Sequence, residues 1–184
     1  MNDAALMEKQ YASKISYWMI SLMHDNRLLP LIKNPDKILK NAGIKLGHQV
    51  LEVGCGPGFY TMAASRVVGE RGQVYALDVN PYAIQKIEQK IAEAKADNIT
   101  PMCANAARTG LPGQSLDSAF LFGLPRVVGG MKGLLSELYR VLKPGGVATF
   151  QRVRTSEEEL KQAVEKTGFE LHKQNGRLMI FVRK

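Results

Sequence analysis

Residues 50–60 read Val50-Leu51-Glu52-Val53-Gly54-Cys55-Gly56-Pro57-Gly58-Phe59-Tyr60, an apolar run that ends in an acid and three glycines at alternate positions. The apolar run predicts a buried strand, and the apolar segment after it predicts a helix. In α/β sheets, a strand that stops in a glycine-rich turn before a helix brings backbone amides close to a bound nucleoside. Glycine suits such a turn because it adopts positive φ and has no Cβ to block a ligand.

Two common nucleotide motifs do not fit this segment. A dinucleotide fingerprint has the form Gly-x-Gly-x-x-Gly, and counting from Gly54 places Phe59 at the last glycine. A P-loop ends in Gly-Lys-Ser/Thr, and no lysine precedes Thr61. What remains is Glu52-x-Gly54-x-Gly56-x-Gly58, for which a plain glycine-rich turn without a ligand is the structural alternative.

Further along the chain, strand and helix patterns alternate. Apolar runs predict strands at 49–53, 72–77, 99–103, 116–123 and 147–150, and helices at 36–42, 59–68, from 81 onward, at 134–142 and after Ser156. Pro101 predicts an edge position for the third strand, because proline cannot donate to a ladder. Asn175-Gly176 predicts a hairpin between strands at 169–172 and 178–182. The alternation favours an α/β fold with a doubly wound sheet and one antiparallel strand.

The spacing Glu52-x-Gly54-x-Gly56-x-Gly58 resembles the cofactor loop of the class I S-adenosylmethionine-dependent methyltransferases. The resemblance runs from about residue 36 to residue 150 and includes Glu137-Leu138-Tyr139-Arg140-Val141-Leu142-Lys143-Pro144-Gly145-Gly146 before the fifth strand. It implies a Rossmann-like methyltransferase fold, with a doubly wound, mostly parallel seven-stranded sheet and a C-terminal antiparallel hairpin.

The resemblance also implies a set of residues that bind S-adenosylmethionine. They are Glu52, Gly54, Cys55, Gly56, Pro57, Gly58, Asp78, Val79, Asn105, Ala106 and Phe122. In the family, an acid at the position of Asp78 accepts hydrogen bonds from the two ribose hydroxyls, and an acid at the position of Glu52 lies near the methionine end. Asn105 stands where the family usually has Asp, and its carbonyl oxygen can still accept from the adenine amino group. Helix capping is the alternative role for Asp78.

Composition places the chain among single soluble domains. It has 184 residues, 45% hydrophobic residues, a formal net charge of +8 and two cysteines without metal-ligand spacing. We expect one domain over 1–184 with 1–35 as an N-terminal helical extension, no metal, no membrane span and a cytoplasmic location. The positive excess concentrates in 126–184, so a nucleic-acid partner stays open but is not favoured. The segment Phe122-Gly123-Leu124-Pro125-Arg126 lacks the Asn/Asp-Pro-Pro-aromatic motif of amino-group methyltransferases that act on nucleic acids.

The predicted function is methyl transfer from S-adenosylmethionine to an unidentified small-molecule acceptor, leaving S-adenosylhomocysteine. No catalytic base emerges; His24 and Asp25 are weak candidates. Methyl transfer needs none, because the sulfonium is already activated and alignment can suffice. By elimination, residues 2–28 form a lid over the acceptor. The alternative is a cofactor-binding module or partner subunit without activity of its own. The oligomeric state stays open.

Overall fold

The computed structural model describes residues 34–123, 127–151 and 156–184. Helices in this part of the chain are α1 (Pro35–Asn41), α2 (Thr61–Val68), α3 (Pro81–Ala94), α4 (Gly130–Val141) and α5 (Glu157–Glu165). Strands are β1 (Gln49–Val53), β2 (Gln73–Asp78), β3 (Ile99–Cys103), β4 (Leu116–Phe122), β5 (Leu142–Gln151), β6 (Phe169–Asn175) and β7 (Leu178–Arg183). Residues 1–33 of the predicted N-terminal extension, with His24, Asp25 and the predicted lid, lie outside the described residues, while Asn34 caps α1 and Pro35 begins it.

The described strands form one seven-stranded sheet in the order β3-β2-β1-β4-β5-β7-β6. Strands β1 to β5 pair in parallel, and β7 is antiparallel to both β5 and β6. This arrangement confirms the predicted doubly wound sheet with its C-terminal hairpin. Since β1 pairs with β2 on one side and β4 on the other, the crossover direction reverses at its carboxyl end. Open α/β sheets bind ligands at that switch point.

Two apolar cores cover the two faces of the sheet. Alternate residues of β1 point to opposite faces, so Val50 belongs to one core and Leu51 to the other, and both are fully buried. One core receives side chains from α1, α2 and α3, and the other receives them from α4 and α5. A central parallel strand therefore reads as continuously apolar, and the buried Glu52 is a conspicuous exception.

The predicted edge position of the third strand is confirmed, and two helices begin with caps made by local side chains. β3 lies at the edge of the sheet with Pro101 in it. Asn80 caps α3 by accepting a hydrogen bond from the Tyr82 amide. Ser156 and Glu159 form a reciprocal capping box at the start of α5. Among the described residues, no helix combines the length and apolarity needed to cross a bilayer.

Three predicted boundaries are wrong. Helix α4 begins at Gly130 rather than at residue 134, because tertiary contacts with Ala107 favour a glycine-rich first turn that intrinsic propensity disfavours. β5 begins at Leu142, since Leu142 pairs with Leu116 before the chain bulges and Val147 pairs with Ser118. β6 extends to Asn175, which pairs with Leu178, so the two-residue hairpin loop is residues 176–177 rather than Asn175-Gly176.

Replacing Gly168 by Ala tests how tightly the hairpin docks on α4. Gly168 has φ +94°, and a Cβ there would lie 2.7 Å from Cε2 of Tyr139. That ring stacks edge-to-face on Phe169 and lies 4.4 Å from the Arg183 guanidinium carbon, so it has little room to move. We expect Gly168→Ala to lower the free energy of unfolding in urea by about 2–4 kcal/mol, combining positive-φ strain with overpacking.

Gly145→Ala is the matched control, because Gly145 has φ +77° and nothing within 4 Å of the added Cβ. It should show the backbone strain alone, about 1–2 kcal/mol. Equal losses in the two variants would contradict the tight docking of Tyr139.

Candidate active site

The glycine loop after β1 is tied to the end of β2. Gly54, Gly56 and Gly58 have φ of +76°, +51° and +89°, a region that residues with a Cβ rarely adopt. The amides of Gly54 and Cys55 both donate to the carbonyl oxygen of Leu77, at 2.7 and 3.0 Å. The loop is therefore held over the carboxyl end of the neighbouring strand, where the cofactor was predicted.

Gly58 also lets helix α3 approach the loop. A Cβ at this position would lie 2.5 Å from Cδ1 of Ile87, which is fully buried. On the same helix, Nζ of Lys90 donates to the carbonyl oxygen of Pro57 at 2.6 Å. The last glycine of the predicted motif thus serves close packing of a helix as well as backbone conformation.

Asp78 ends β2 and joins two turns. Its Oδ2 accepts from the Gly56 amide at 2.9 Å, and its Oδ1 accepts from the Asn80 amide at 2.9 Å. Burial raises the pKa of the Asp78 carboxyl, and the amide hydrogen bonds oppose that rise. The N-cap of helix α3 is Asn80 and not Asp78. Asp78 lies two residues earlier and connects the glycine loop to the chain after β2.

Glu52 lies beneath the loop and is 3% exposed. Its Oε2 accepts a hydrogen bond of 2.6 Å from the Thr61 hydroxyl, at the start of α2. Burial raises the pKa of the Glu52 carboxyl to about 8, against the lowering effect of that hydrogen bond. At neutral pH the group is therefore mostly protonated, which reduces the cost of burying it.

The two cysteines and Val79 lie around the same strand ends. Cys55 is buried, and burial raises the pKa of its thiol well above the ordinary value, so it remains an unreactive thiol. Cys103, at the end of β3, is exposed and contacts the carbonyl oxygen of Val79, with its sulfur at 4.0 Å. Neither thiol has the lowered pKa of a nucleophile.

The predicted adenine loop follows β3. The Ala104 amide donates to the carbonyl oxygen of Asp78, which joins this loop to the end of β2. Oδ1 of Asn105 accepts from the Ala107 amide at 2.9 Å, so the side chain shapes the turn. Ala106 is 5% exposed, and its methyl group packs into the core; its backbone is the part that a ligand could contact.

Phe122 ends β4 within a group of aromatic side chains. Its ring centroid lies 4.9 Å from that of Phe120 and 5.0 Å from that of Tyr60. Phe59 continues the group at 4.8 Å from Tyr60. Burial, and then the nearby Glu52, raise the pKa of the Tyr60 hydroxyl, so it stays protonated at neutral pH. The switch point is thus bordered by apolar rings on the β4 side.

Sequence reasoning missed a polar network on α4. Glu137 is 8% exposed and accepts from the amide and the hydroxyl of Thr109, at 2.9 and 2.6 Å. Arg140 donates to both carboxylate oxygens of Glu137 and holds the pKa of that carboxyl at about 2. The available signal was an acid and an arginine three residues apart in a predicted helix, a spacing that places them on one face.

The two described histidines, His48 and His172, lie away from these strand ends. Nδ1 of His48 contacts the Ser118 hydroxyl at 2.9 Å, at the amino-terminal edge of β1, and burial lowers the pKa of its imidazole. His172 is exposed on the edge strand β6. Within 34–123, 127–151 and 156–184, no three His, Cys, Asp or Glu side chains form a group that could hold a metal ion.

Glu52→Gln tests the protonation of the buried carboxyl. The folded-state pKa of about 8 lies above the ordinary value of 4.5. Between these values the unfolded chain loses a proton that the folded chain keeps, so wild-type stability falls as pH rises through this window. Because glutamine does not titrate, the unfolding free energy of wild type should fall relative to the variant by up to about 1.4 kcal/mol per pH unit. Urea denaturation from pH 5 to 8.5 measures this, and parallel curves would contradict it.

Comparison with known proteins identifies the family of this chain. Residues 50–146 match the family model described as a methyltransferase domain. A demethylmenaquinone methyltransferase of Geobacillus sp. is 34% identical over 116 residues, which cover 62% of this chain and 49% of that protein. A ubiquinone/menaquinone biosynthesis C-methyltransferase of Marinomonas sp. is 32% identical over 144 residues, which cover 77% of this chain and 57% of that protein. The chain spans about half the length of these curated relatives.

A solved structure matches the chain more completely. An S-adenosylmethionine-dependent methyltransferase from Aquifex aeolicus superimposes with a TM-score of 0.77 at 26% identity, covering 90% of this chain and 96% of that one. The family model spans more than half of the chain and includes the glycine loop, Asp78 and the Asn105 turn. The chain belongs to the class I S-adenosylmethionine-dependent methyltransferase family.

Proposed function

We propose that this protein binds S-adenosylmethionine at the carboxyl ends of β1, β2 and β3 and transfers the methyl group to a small-molecule acceptor. The observation that carries the proposal is the bridge between Gly56 and Asp78 at the switch point. It places a carboxylate and a turn of positive-φ glycines at one edge of the sheet, as nucleoside binding requires.

The residues at this edge fit the cofactor. A carboxylate offers about four acceptor sites, and the amides of Gly56 and Asn80 leave Asp78 with capacity for ribose hydroxyls. The loop at 54–58 would approach the nucleoside with backbone alone. Asn105 and the backbone of Ala106 would contact adenine, with Val79 between ribose and base. Glu52 would support the methionine end from below the loop, and Phe122 would border the transferred group.

We expect the protein to promote methyl transfer by aligning the acceptor with the methyl group of the cofactor. When bound, the cofactor supplies an activated methyl group on its sulfonium sulfur. Neither described acid at these strand ends is placed as a general base, since Glu52 is buried and Asp78 accepts from the amides of Gly56 and Asn80 and would hold the ribose. The protein would therefore act by holding the acceptor in line and excluding water. Residues 2–28 remain our proposal for the lid that completes this exclusion.

For the acceptor, an electron-rich ring is the first candidate. Two relatives are named for methylation in quinone biosynthesis, and the apolar rings of Tyr60 and Phe122 beside the switch point suit a planar ligand. Carbon attack would form a C–CH3 bond as the S–CH3 bond breaks, and the ring carbon would then lose its proton to water. Such attack needs a nucleophilic ring carbon, which a hydroquinone provides better than a quinone. A cytoplasmic location is part of the proposal, because Cys55 and Cys103 are free thiols.

Calorimetry with S-adenosylhomocysteine tests the cofactor assignment. We expect binding of S-adenosylhomocysteine and no heat from NAD. Asp78→Ala should weaken S-adenosylhomocysteine binding by about 2–4 kcal/mol, because hydrogen bonds to a charged group are worth about 1.5–3 kcal/mol each and are not fully additive.

Asp117→Asn is the matched control for the loss of a carboxylate. Like Asp78, Asp117 accepts a hydrogen bond from a backbone amide, that of Gln49, and it also pairs with Lys143 at 2.6 Å. It lies at the amino ends of β1 and β4, away from the proposed cofactor site. It should change stability and leave cofactor affinity intact. Binding of NAD in place of S-adenosylhomocysteine would overturn the assignment.

A turnover assay separates the enzyme from a cofactor-binding module. With S-adenosylmethionine and a reduced, short-chain demethylmenaquinone, we expect release of S-adenosylhomocysteine that stops when the acceptor is left out. Mass spectrometry should find one added methyl group on the acceptor ring. Tight binding of S-adenosylhomocysteine without turnover on a panel of hydroquinones, phenols and amines would favour the module instead.

A further inference from the structure

Helix α4 presents one face to the loop that follows β3. Gly133, Glu137 and Arg140 are spaced by four and three residues, so they lie along the same side of the helix. Each contacts the segment 107–114, which begins two residues after Asn105. The helix therefore touches this loop at both of its ends.

At the far end of the loop, Glu137 is the centre of the contacts. It accepts two hydrogen bonds from Thr109, whose own Oγ1 accepts from the Leu111 amide at 3.1 Å. Nη2 of Arg140 donates both to Glu137 and to the carbonyl oxygen of Leu111, at 2.8 and 2.7 Å. Thr109 is 4% exposed, so these contacts are shielded from water on the loop side.

At the near end, the helix leaves room for the loop by lacking side chains. An added Cβ at Gly133 would lie 3.0 Å from Cβ of Ala107. One at Gly129 would lie 2.8 Å from the same atom and 3.3 Å from Oδ1 of Asn105. The Asn105 turn and Ala107 thus pack closely against Gly129 and the first turn of α4.

Simple anchoring of a surface loop would not need this arrangement. An apolar contact would hold a loop without the desolvation penalty that a buried acid carries. A bidentate arginine pair adds directional contacts that fix the position of the bound backbone. These directional contacts fall on Thr109 and Leu111, four and six residues after Asn105 in the same loop.

We propose that Thr109, Glu137, Arg140 and Gly133 are positioning residues that set the adenine selectivity of the cofactor site by holding the Asn105 turn in place. This inference rests on the proposed function, because it assigns adenine to that turn. These residues would act through the loop backbone and through Asn105, without touching the cofactor.

The test compares two ligands that differ only at the base. S-inosylhomocysteine carries a carbonyl where S-adenosylhomocysteine carries the adenine amino group. The ratio of the dissociation constant for S-inosylhomocysteine to that for S-adenosylhomocysteine measures how strongly the site selects adenine. A smaller fraction of folded protein affects both constants equally and so leaves the ratio unchanged. A merely structural role for the network would therefore leave the ratio unchanged.

Glu137→Gln and Thr109→Val each remove contacts of the network. We expect the dissociation constant for S-adenosylhomocysteine to rise about tenfold, as the loss of one or two hydrogen bonds would produce. The selectivity ratio should fall at least threefold toward one. Asp117→Asn serves again as the control, and its ratio should equal that of wild type.

Gly133→Ala keeps the test decisive if the polar variants fold poorly. Alanine favours a helix over glycine, so the melting temperature should not fall far. Its Cβ should nevertheless displace Ala107 and the Asn105 turn and lower the selectivity ratio. A lower selectivity ratio at an unchanged melting temperature would show that the network positions the turn and does not merely stabilise the fold.

The outcomes also separate this inference from the proposed function. If wild type does not bind S-adenosylhomocysteine, the proposed function fails and this inference fails with it. If wild type binds it with a ratio near one, or if every variant keeps the wild-type ratio, the inference alone is overturned.

Discussion

The carbonyl oxygen of Leu77 accepts two amide hydrogen bonds from the glycine loop, and the adjacent carboxylate of Asp78 accepts a third. These bonds join the chain after β1 to the end of β2, at the point where the crossover direction reverses. They require Gly54 and Gly56 at positive φ, which only glycine adopts without strain. The later elements build on this junction, since β3 is joined to it through the Ala104 amide and α3 through Lys90.

Two buried acids show how differently the same side chain behaves in this fold. Glu52 sits among apolar groups with one hydroxyl partner, and burial raises the pKa of its carboxyl to about 8. Glu137 sits beside Arg140, whose hydrogen bonds hold the pKa of its carboxyl at about 2. A protonated acid is tolerated beneath a ligand loop at neutral pH, while an ionised and paired acid can hold backbone amides in a fixed geometry.

The two loops that border the proposed cofactor site are held by different parts of the fold. The glycine loop would meet the nucleoside with backbone, so its geometry depends on the sheet and on packing against α3. The loop after β3, where we propose that adenine binds, instead contacts a helix from the other face of the sheet, through Glu137, Arg140 and two glycines. Because many chemistries share this fold, the acceptor must be decided by groups around the strand ends rather than by the sheet.

Local sequence by itself determined that seven strands form, which of them alternate with helices, and where the glycine loop lies. The apolar run of β1, the glycine spacing after it and the acid at Asp78 act over short distances, so one sequence shows them. The edge position of β3 and the capping box of α5 are also local, since proline and the Ser156-Glu159 spacing have direct backbone consequences.

Only the tertiary structure decided which distant residues meet. The glycines at 129, 130 and 133 oppose a helix locally, yet α4 begins at Gly130, where Ala107 packs closely against Gly129 and Gly133. The residues at 142–146 resemble a turn, yet they lie within β5 because Leu142 pairs with Leu116 and Lys143 binds Asp117. Thr109 and Glu137 are separated by 28 residues. Their contact depends on how α4 docks on the sheet, which local sequence preference does not encode.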